Sequence, residues 1–151
     1  MKKNKTAEIR AKIMPEIMAA LLILLFVYAA ASKLFDHAKF SEDMHNQPFP
    51  RWLAGALVWS VPAAELLITA GLLSERSRRR AFQASLILLT LFTLYIMAIL
   101  LHWFPRVPCS CGGVIRKLTW IQHLWFNLFF MGLSGAGIVL LSAARPNQVI
   151  N

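Results

Sequence analysis

The sequence predicts an all-α membrane protein with four transmembrane helices, arranged up-down-up-down with both termini in the cytoplasm. Of its 151 residues, 58% are hydrophobic and only 15% are charged, whereas a soluble domain has about a quarter charged residues. Four stretches are long enough to cross about 30 Å of hydrocarbon, which takes about 20 helical residues. The connecting segments are short, which favours a single four-helix bundle over an arrangement with a separate soluble domain.

The four spans define the predicted domain organisation. A basic cytoplasmic tail, residues 1–15, precedes a transmembrane domain over residues 16–144, and a cytoplasmic tail, residues 145–151, follows it. The predicted spans cover about residues 16–34, 52–73, 81–104 and 121–144.

The first span has a competing interpretation as a cleaved signal peptide. Ala29 to Ala31 offer a small-residue cleavage site after a basic start and an apolar run. However, Glu8 and Glu16 lie within the supposed basic region, and the apolar stretch continues into Ser32–Leu34. We therefore expect the first span to be retained.

Basic residues indicate the orientation of the bundle. The chain has 16 Lys and Arg residues against 7 Asp and Glu residues, a net charge of +9. The densest basic clusters lie at residues 2–12, before the first span, and at residues 76–80, between the second and third spans. The positive-inside rule therefore places both termini in the cytoplasm and the longer loops outside. We interpret the run Arg78–Arg80 as an anchor that contacts lipid headgroups, so membrane lipid is an expected partner and nucleic acid is not.

Cys109 and Cys111, the two cysteines of the chain, lie in the outward loop between the third and fourth spans. Disulfides form and persist in extracytoplasmic compartments. A bridge between cysteines two positions apart closes a small, strained ring, so it is more easily reduced and more oxidising than an ordinary structural disulfide. The pair is therefore the candidate catalytic site of a thiol–disulfide redox reaction.

The neighbours of the cysteine pair are compatible with this chemistry. Pro108 stiffens the approach, whereas Gly112 and Gly113 leave the sulfur atoms uncovered for an attacking thiolate. Arg106 can favour a thiolate electrostatically. Two alternatives remain: a purely structural disulfide, which would constrain very little chain, and a soft-metal site completed by a histidine.

Polar residues at the outward end of the fourth span are candidates for proton transfer or for binding a cofactor. His123 and Asn127 are four positions apart and share one helix face. His123 is a candidate catalytic base because an imidazole can accept a proton from a cysteine thiol, and it can also donate a hydrogen bond to a quinone carbonyl. The simpler alternative is an interfacial histidine bonded to a loop carbonyl. We interpret Trp120 primarily as part of an aromatic belt at the membrane interface, although it can also line a quinone pocket. His102 is interpreted as a residue at the membrane edge.

His123, Asn127 and Trp120 are therefore the candidate cofactor-binding residues. The sequence does not identify the cofactor; a quinone fits these residues, and no metal is expected.

Three charged residues are further candidate polar sites. Glu65 lies about 20 Å along the second span from its outward end, by helical rise. An ionised carboxylate is costly there, so we expect a protonated group or hydrogen bonds to Thr90 and Ser134, in either a proton path or a packing role. Lys33 and Asp36 are expected to pair with one another at the membrane edge.

Small residues on the fourth span predict close contact with a neighbouring helix. This stripe consists of Gly132, Ser134, Gly135, Ala136 and Gly137.

Several stretches of the chain carry a resemblance to one known family. They are Ala31–Asp36 with Phe40, Pro62 with Glu65, Phe92–Thr93 with Tyr95, Pro108–Ile115, and Leu118, Trp120, His123–Leu124 and Asn127. Together these stretches resemble the pattern of MauE-type methylamine-utilisation membrane proteins, within the wider DoxX-like group. The resemblance covers nearly the whole chain apart from its two tails.

The resemblance implies a multi-pass protein of the bacterial inner membrane that takes part in forming or handling disulfides in exported proteins. In MauE-type proteins proper, this role assists maturation of a disulfide-rich subunit of methylamine dehydrogenase. The expected partner is an exported cysteine-containing protein or a thioredoxin-like protein. We therefore expect a thiol–disulfide redox protein, linked to a quinone or to a partner protein. The alternative is a non-enzymatic membrane assembly factor or transporter-like subunit whose Cys-x-Cys loop is structural or binds a metal.

Overall fold

This computed structural model describes residues 2–103 and 119–143, with side chains described from Ile13 onward. Within these ranges the chain forms five α-helices. They are α1 (Lys2–Phe35), α2 (His37–His45), α3 (Arg51–Leu73), α4 (Arg78–Leu100) and α5 (Trp120–Ala143).

Four helices in the described part of the chain are long and apolar enough to cross a membrane. The membrane-spanning segments are Ile13–Phe35, Arg51–Leu73, Arg78–Leu100 and Trp120–Ala143. Large apolar side chains such as Leu24, Leu67 and Val139 are exposed on the outer faces of these helices, as expected for surfaces that contact lipid. The predicted all-α class, with four helices long and apolar enough to span a membrane, is therefore confirmed.

The apolar core lies in the half of the bundle where α3 connects to α4. Its buried side chains come from all four long helices: Ala19, Leu22, Phe26, Ile68, Leu72, Ala81, Phe82, Leu89 and Phe130. Helix α1 packs chiefly against α3, and α4 packs chiefly against α5. Arg78 at the start of α4 lies 3.5 Å from the Glu16 carboxylate, so the beginning of the first span is beside the α3–α4 turn.

One of the small residues on α5 makes the predicted close contact. A Cβ atom on Gly137 would lie 2.6 Å from the ring of Phe82, so only glycine allows α4 and α5 to approach this closely. Ser134, one turn earlier, is fully buried. By contrast, a Cβ atom on Gly132 or Gly135 would meet no neighbouring group of the described residues within 4 Å. Close packing of α5 against a neighbouring helix therefore involves only part of the small-residue stripe.

The end of α4 is set by a residue in the left-handed region. His102 has φ of 55°, and its N–H donates to the Ile99 carbonyl while the N–H of Trp103 donates to Ala98. These two bonds form a Schellman motif, which closes a helix by satisfying its last carbonyl groups. The helix therefore ends at Leu100, and His102 is an exposed edge residue at its terminus.

The short helix α2 was not predicted from the sequence. It lies in the connection between α1 and α3 and packs mainly against α3. Phe40 is buried, Met44 is half-buried and Gln47, just after the helix, is buried. Their spacing of four and then three residues places them on one helical face. This connection is therefore a structured cover on the bundle.

Candidate functional site

A cavity of about 460 Å³ lies between the four long helices, on the side of the core that α2 covers. Phe26, Leu89 and Phe130, at the edge of the core, line its inner end, and α2 contributes Phe40 and Met44. Most of the remaining wall is apolar. Polar side chains from three helices, Lys33, Glu65, His123 and Asn127, interrupt it.

An ion pair between α1 and α3 forms part of this wall. Lys33 Nζ donates to Glu65 Oε1 at 2.8 Å, and the two side chains are only 12% and 2% exposed. The lysine also donates to the carbonyl of Ala29, one turn earlier, at 3.2 Å. Helical side chains lean towards the N-terminus, so Lys33 reaches back along α1 into the bundle. Its ammonium group also lies 5.9 Å from the centre of the Phe40 ring.

This pairing differs from what the sequence suggested for both residues. The sequence predicts a local pair of Lys33 with Asp36; the structure places the Lys33 ammonium group in an ion pair with Glu65 of a different helix. Thr90 and Ser134 were expected to bond Glu65, but their hydroxyl groups donate to carbonyls of their own helices, at Leu86 and Phe130. Glu65 therefore faces a charged partner.

Two polar atoms of the cavity wall have no hydrogen-bond partner among the described residues. They are Glu65 Oε2, an acceptor, and Asn127 Nδ2, a donor. Both residues are deeply buried, with 1% and 4% of their surface exposed. A buried polar group without a partner costs about 1–3 kcal/mol, so such groups in native proteins are usually satisfied by a ligand or by ordered water. The wall is therefore suited to a molecule that both accepts and donates hydrogen bonds.

Helix α5 supplies the other candidate residues that the sequence identified. Trp120 and His123 line the cavity together with Asn127, and all three lie in the first two turns of the helix. His123 and Trp120 are half-buried. The three candidate cofactor-binding residues therefore share one cavity with Lys33 and Glu65.

Contacts around the first connection hold α2 over the cavity. Tyr95 Oη of α4 donates to Gln47 Oε1, and the rings of Tyr95 and Phe49 are 5.6 Å apart. On the other side, the rings of His37 and Trp59 are 4.5 Å apart. Tyr95 also lines the cavity, so this hydrogen bond joins the cover directly to the wall.

Asp36 and the cysteine pair complete the set of predicted site residues. Asp36 is exposed, directly precedes α2, and its carbonyl accepts a hydrogen bond from the Phe40 N–H at 2.9 Å. It does not line the cavity. Cys109 and Cys111 lie outside the described residues. The segment that carries them joins Trp103 to Thr119, immediately before Trp120 of the cavity wall.

The model of one protein family, described as methylamine utilisation protein MauE, matches residues 11–141. The chain belongs to the MauE family. It is a multi-pass membrane protein of that family, as the four membrane-spanning helices indicate. No curated protein and no solved structure matches the chain significantly.

Residues through which the sequence resembles MauE-type proteins meet in this cavity although they are far apart in the chain. They are Lys33 and Phe40, Glu65, Phe92 and Tyr95, and Trp120, His123 and Asn127. Sequence reasoning found the candidates on α5 and the isolated charges, but it did not place Glu65 beside Lys33. It also gave no role to Tyr95 and Gln47, whose hydrogen bond joins the end of α2 to the cavity wall.

Proposed function

We propose that this MauE-family chain is a thiol–disulfide redox protein of the bacterial inner membrane that supports disulfide formation in exported proteins. The observation that supports the proposal best is the cavity with a buried polar wall at the start of α5. In the sequence, the segment with Cys109 and Cys111 leads into Thr119, which immediately precedes Trp120 of this wall. Ionisable residues inside a membrane domain are costly and usually mark a pathway for ions, protons or substrate.

The proposed topology places the cysteine segment outside the cytoplasm. The contact between Glu16 and Arg78 brings the basic start of the chain and the basic α3–α4 turn to the same end of the bundle. By the positive-inside rule that end is cytoplasmic. An up-down-up-down arrangement then puts α2 and the connection between α4 and α5 on the opposite, periplasmic side, where disulfides persist.

The proposed reaction transfers a disulfide from the chain to a partner. A thiolate of an exported partner attacks one sulfur of the Cys109–Cys111 bridge, which breaks the S–S bond and forms a mixed disulfide. A second partner thiolate then displaces the chain's cysteine, so the partner becomes oxidised and the chain is left as a dithiol. Reoxidation of this dithiol releases two electrons and two protons, which an acceptor outside the cysteine pair must take.

His123 is the proposed base for this reoxidation. Its imidazole is half-buried in the first turn of α5, within the cavity and close in sequence to the cysteine segment. A histidine can accept a thiol proton near neutral pH. The family name connects the wider role to methylamine utilisation, where an exported cysteine-rich protein or a thioredoxin-like protein is the proposed partner.

A second candidate function is a non-enzymatic assembly factor or transporter-like subunit. The Lys33–Glu65 pair in a membrane cavity favours it, because substrate sites of transporters also contain buried charges within the membrane domain. In that case the Cys-x-Cys loop would only hold the outer surface together or bind a metal.

Trapping of thiols in living cells with a mass-tagging reagent separates the two functions. We expect Cys109 and Cys111 to shift towards the dithiol form when respiration is blocked or a reductant is added, and to return to the disulfide when the block is removed. The C109S/C111S protein should leave exported cysteine-containing proteins reduced, whereas the matched S110A control should not. Cysteines that never change redox state, together with normal oxidation of exported proteins in the double variant, would favour the assembly role.

A further inference from the structure

We propose that the polar wall of the cavity binds the head group of a membrane quinone and of its quinol, through Asn127 and Glu65. The inference deepens the proposed redox function, on which it rests, by naming the acceptor of the electrons and its site.

The cavity has the size and access that a lipid-soluble ligand needs. Its volume of about 460 Å³ falls in the range of about 300–1,000 Å³ that is typical of small-molecule sites. The cavity is partly open, and three of its lining residues, Leu21, Leu24 and Tyr28, are also exposed on the outer face of α1. A ligand with a long apolar tail can therefore place its head among the helices and its tail along α1 in the bilayer.

The charges of the wall favour a neutral head group. Lys33 is the cation that lines the cavity among the described residues, and the Glu65 carboxylate 2.8 Å away compensates its charge. A phosphate or a fatty-acid carboxylate would have to compete with Glu65 for Lys33 and would leave a net negative charge buried, which is costly. A neutral ligand with hydrogen-bonding groups does not meet this cost.

The two unpartnered atoms match the two redox states of a quinone. Asn127 Nδ2 is a donor and can bond the carbonyl oxygen of the oxidised form; Glu65 Oε2 is an acceptor and can bond the hydroxyl of the reduced form. Aromatic side chains from different helices, among them Phe92, Trp120 and Phe126, line the same space and can pack against a flat ring. A planar head group that exchanges an acceptor for a donor on reduction satisfies each of these features.

The proposed reaction at this site is balanced. The dithiol of Cys109 and Cys111 loses two electrons and two protons and becomes a disulfide. The quinone gains two electrons and two protons and becomes the quinol. The quinol then leaves into the bilayer, where other enzymes of the membrane can oxidise it again.

Binding of decylubiquinone and decylubiquinol to the full chain in lipid nanodiscs, measured by quenching of tryptophan fluorescence, tests the inference. Asn127→Leu removes the donor and should weaken binding of the quinone by about two- to tenfold, since a hydrogen bond in a buried site contributes about 0.5–1.5 kcal/mol. Glu65→Gln keeps an oxygen for Lys33 and turns an amide N–H towards the cavity. It should therefore weaken binding of the quinol by about two- to tenfold while leaving binding of the quinone unchanged or tighter.

Thr90→Val is the matched control, because the Thr90 hydroxyl bonds its own helix at Leu86 and does not line the cavity. It should bind both forms like the wild type. Helical circular dichroism and size-exclusion chromatography establish that each variant is folded. Glu65→Gln removes the anion that compensates Lys33, so Asn127→Leu, which changes no charge, keeps the inference testable if Glu65→Gln does not fold. The inference is overturned if the wild type binds neither form, if both variants bind like Thr90→Val, or if decanoic acid displaces decylubiquinone at similar concentration.

The C109S/C111S protein distinguishes failure of this inference from failure of the redox function. It should bind decylubiquinone with wild-type affinity, because the site is made by the helices. If the wild type binds decylubiquinone but its own cysteines never change redox state in cells, the redox function is refuted and the quinone site remains. Thiol cycling without binding would refute the quinone site alone.

Discussion

Lys33 of α1 and Glu65 of α3 form a buried ion pair, with Nζ 2.8 Å from Oε1, although they lie 32 positions apart in the sequence. The pair joins the end of the first span that precedes α2 to the middle of the next span. It also sets the electrostatic character of the cavity, because each charge compensates the other.

Loss of one partner of this pair should be more harmful than loss of both. Lys33→Met leaves the Glu65 carboxylate buried without its cation, which costs about 3–5 kcal/mol in comparable buried pairs. The K33M/E65L protein has no buried charge to compensate and should be more stable than K33M. Thermal unfolding in detergent measures both effects. Lys39→Met, at an exposed lysine of α2, is the control and should behave like the wild type; equal midpoints for K33M and K39M would contradict the prediction.

Gly137→Ala should weaken the packing of α4 against α5. The new Cβ atom would lie 2.6 Å from the Phe82 ring, so one helix or the ring must move, at a cost of about 1–3 kcal/mol. Gly132→Ala adds the same methyl group where no neighbouring group in the described part of the chain lies within 4 Å, so it should leave the unfolding midpoint unchanged or raise it. Phe82→Leu combined with Gly137→Ala should recover part of the loss. A G137A protein as stable as G132A would show that the two helices pack differently.

His102→Gly should be neutral or stabilising by up to about 1 kcal/mol. Glycine adopts the left-handed φ of 55° without the steric cost that a side chain incurs, and the Schellman bonds of the helix end use only backbone atoms. His102→Val should be destabilising, because a β-branched residue fits this conformation poorly. Thermal unfolding gives the stability, and thiol trapping should show normal cycling of the cysteines in H102G. Loss of cycling in a stable H102G protein would give the imidazole a chemical role instead.

The sequence was sufficient to predict the four spans because length and apolar composition decide whether a helix can enter lipid. It was not sufficient to predict the contact between Lys33 and Glu65, because the position of a residue along its own helix does not show where the end of a long side chain lies. The long lysine side chain runs back along α1 to Ala29, which brings its charge further into the bundle than its position suggests. The sequence also does not show how one helix is rotated relative to another. Gly132 and Gly137 are therefore equivalent in the sequence pattern, although of these two only Gly137 lies in close contact with Phe82.

Helix α2 illustrates a different limit. Phe40, Met44 and Gln47 show a helical spacing that points to one covered face, but the segment is short and polar, and short helices depend on tertiary contacts. The contacts that stabilise it come from Tyr95 and Trp59, which are distant in sequence. The role of α2 as a cover therefore became apparent only with the fold.

Tyr95→Phe should loosen α2 without unfolding the bundle. It removes the hydroxyl that donates to Gln47 Oε1, and Gln47 is 5% exposed, so its carbonyl oxygen loses a buried partner. A net loss of about 1 kcal/mol corresponds to roughly fivefold faster hydrogen exchange of the α2 amides, while amides of the core region around Phe82 should stay protected. Tyr28→Phe, the matched change at an exposed tyrosine of the cavity, should leave α2 exchange unchanged. Tyr95→Phe should have little further effect in a Gln47→Leu background, because Gln47→Leu already removes this bond as well as its own bond to the Asp43 carbonyl. An equally large effect of Tyr95→Phe in both backgrounds would mean that its hydroxyl acts through a group other than Gln47. Unchanged α2 exchange in Tyr95→Phe would mean that the aromatic contact of Phe49 with Tyr95, which that variant keeps, holds α2 over the cavity.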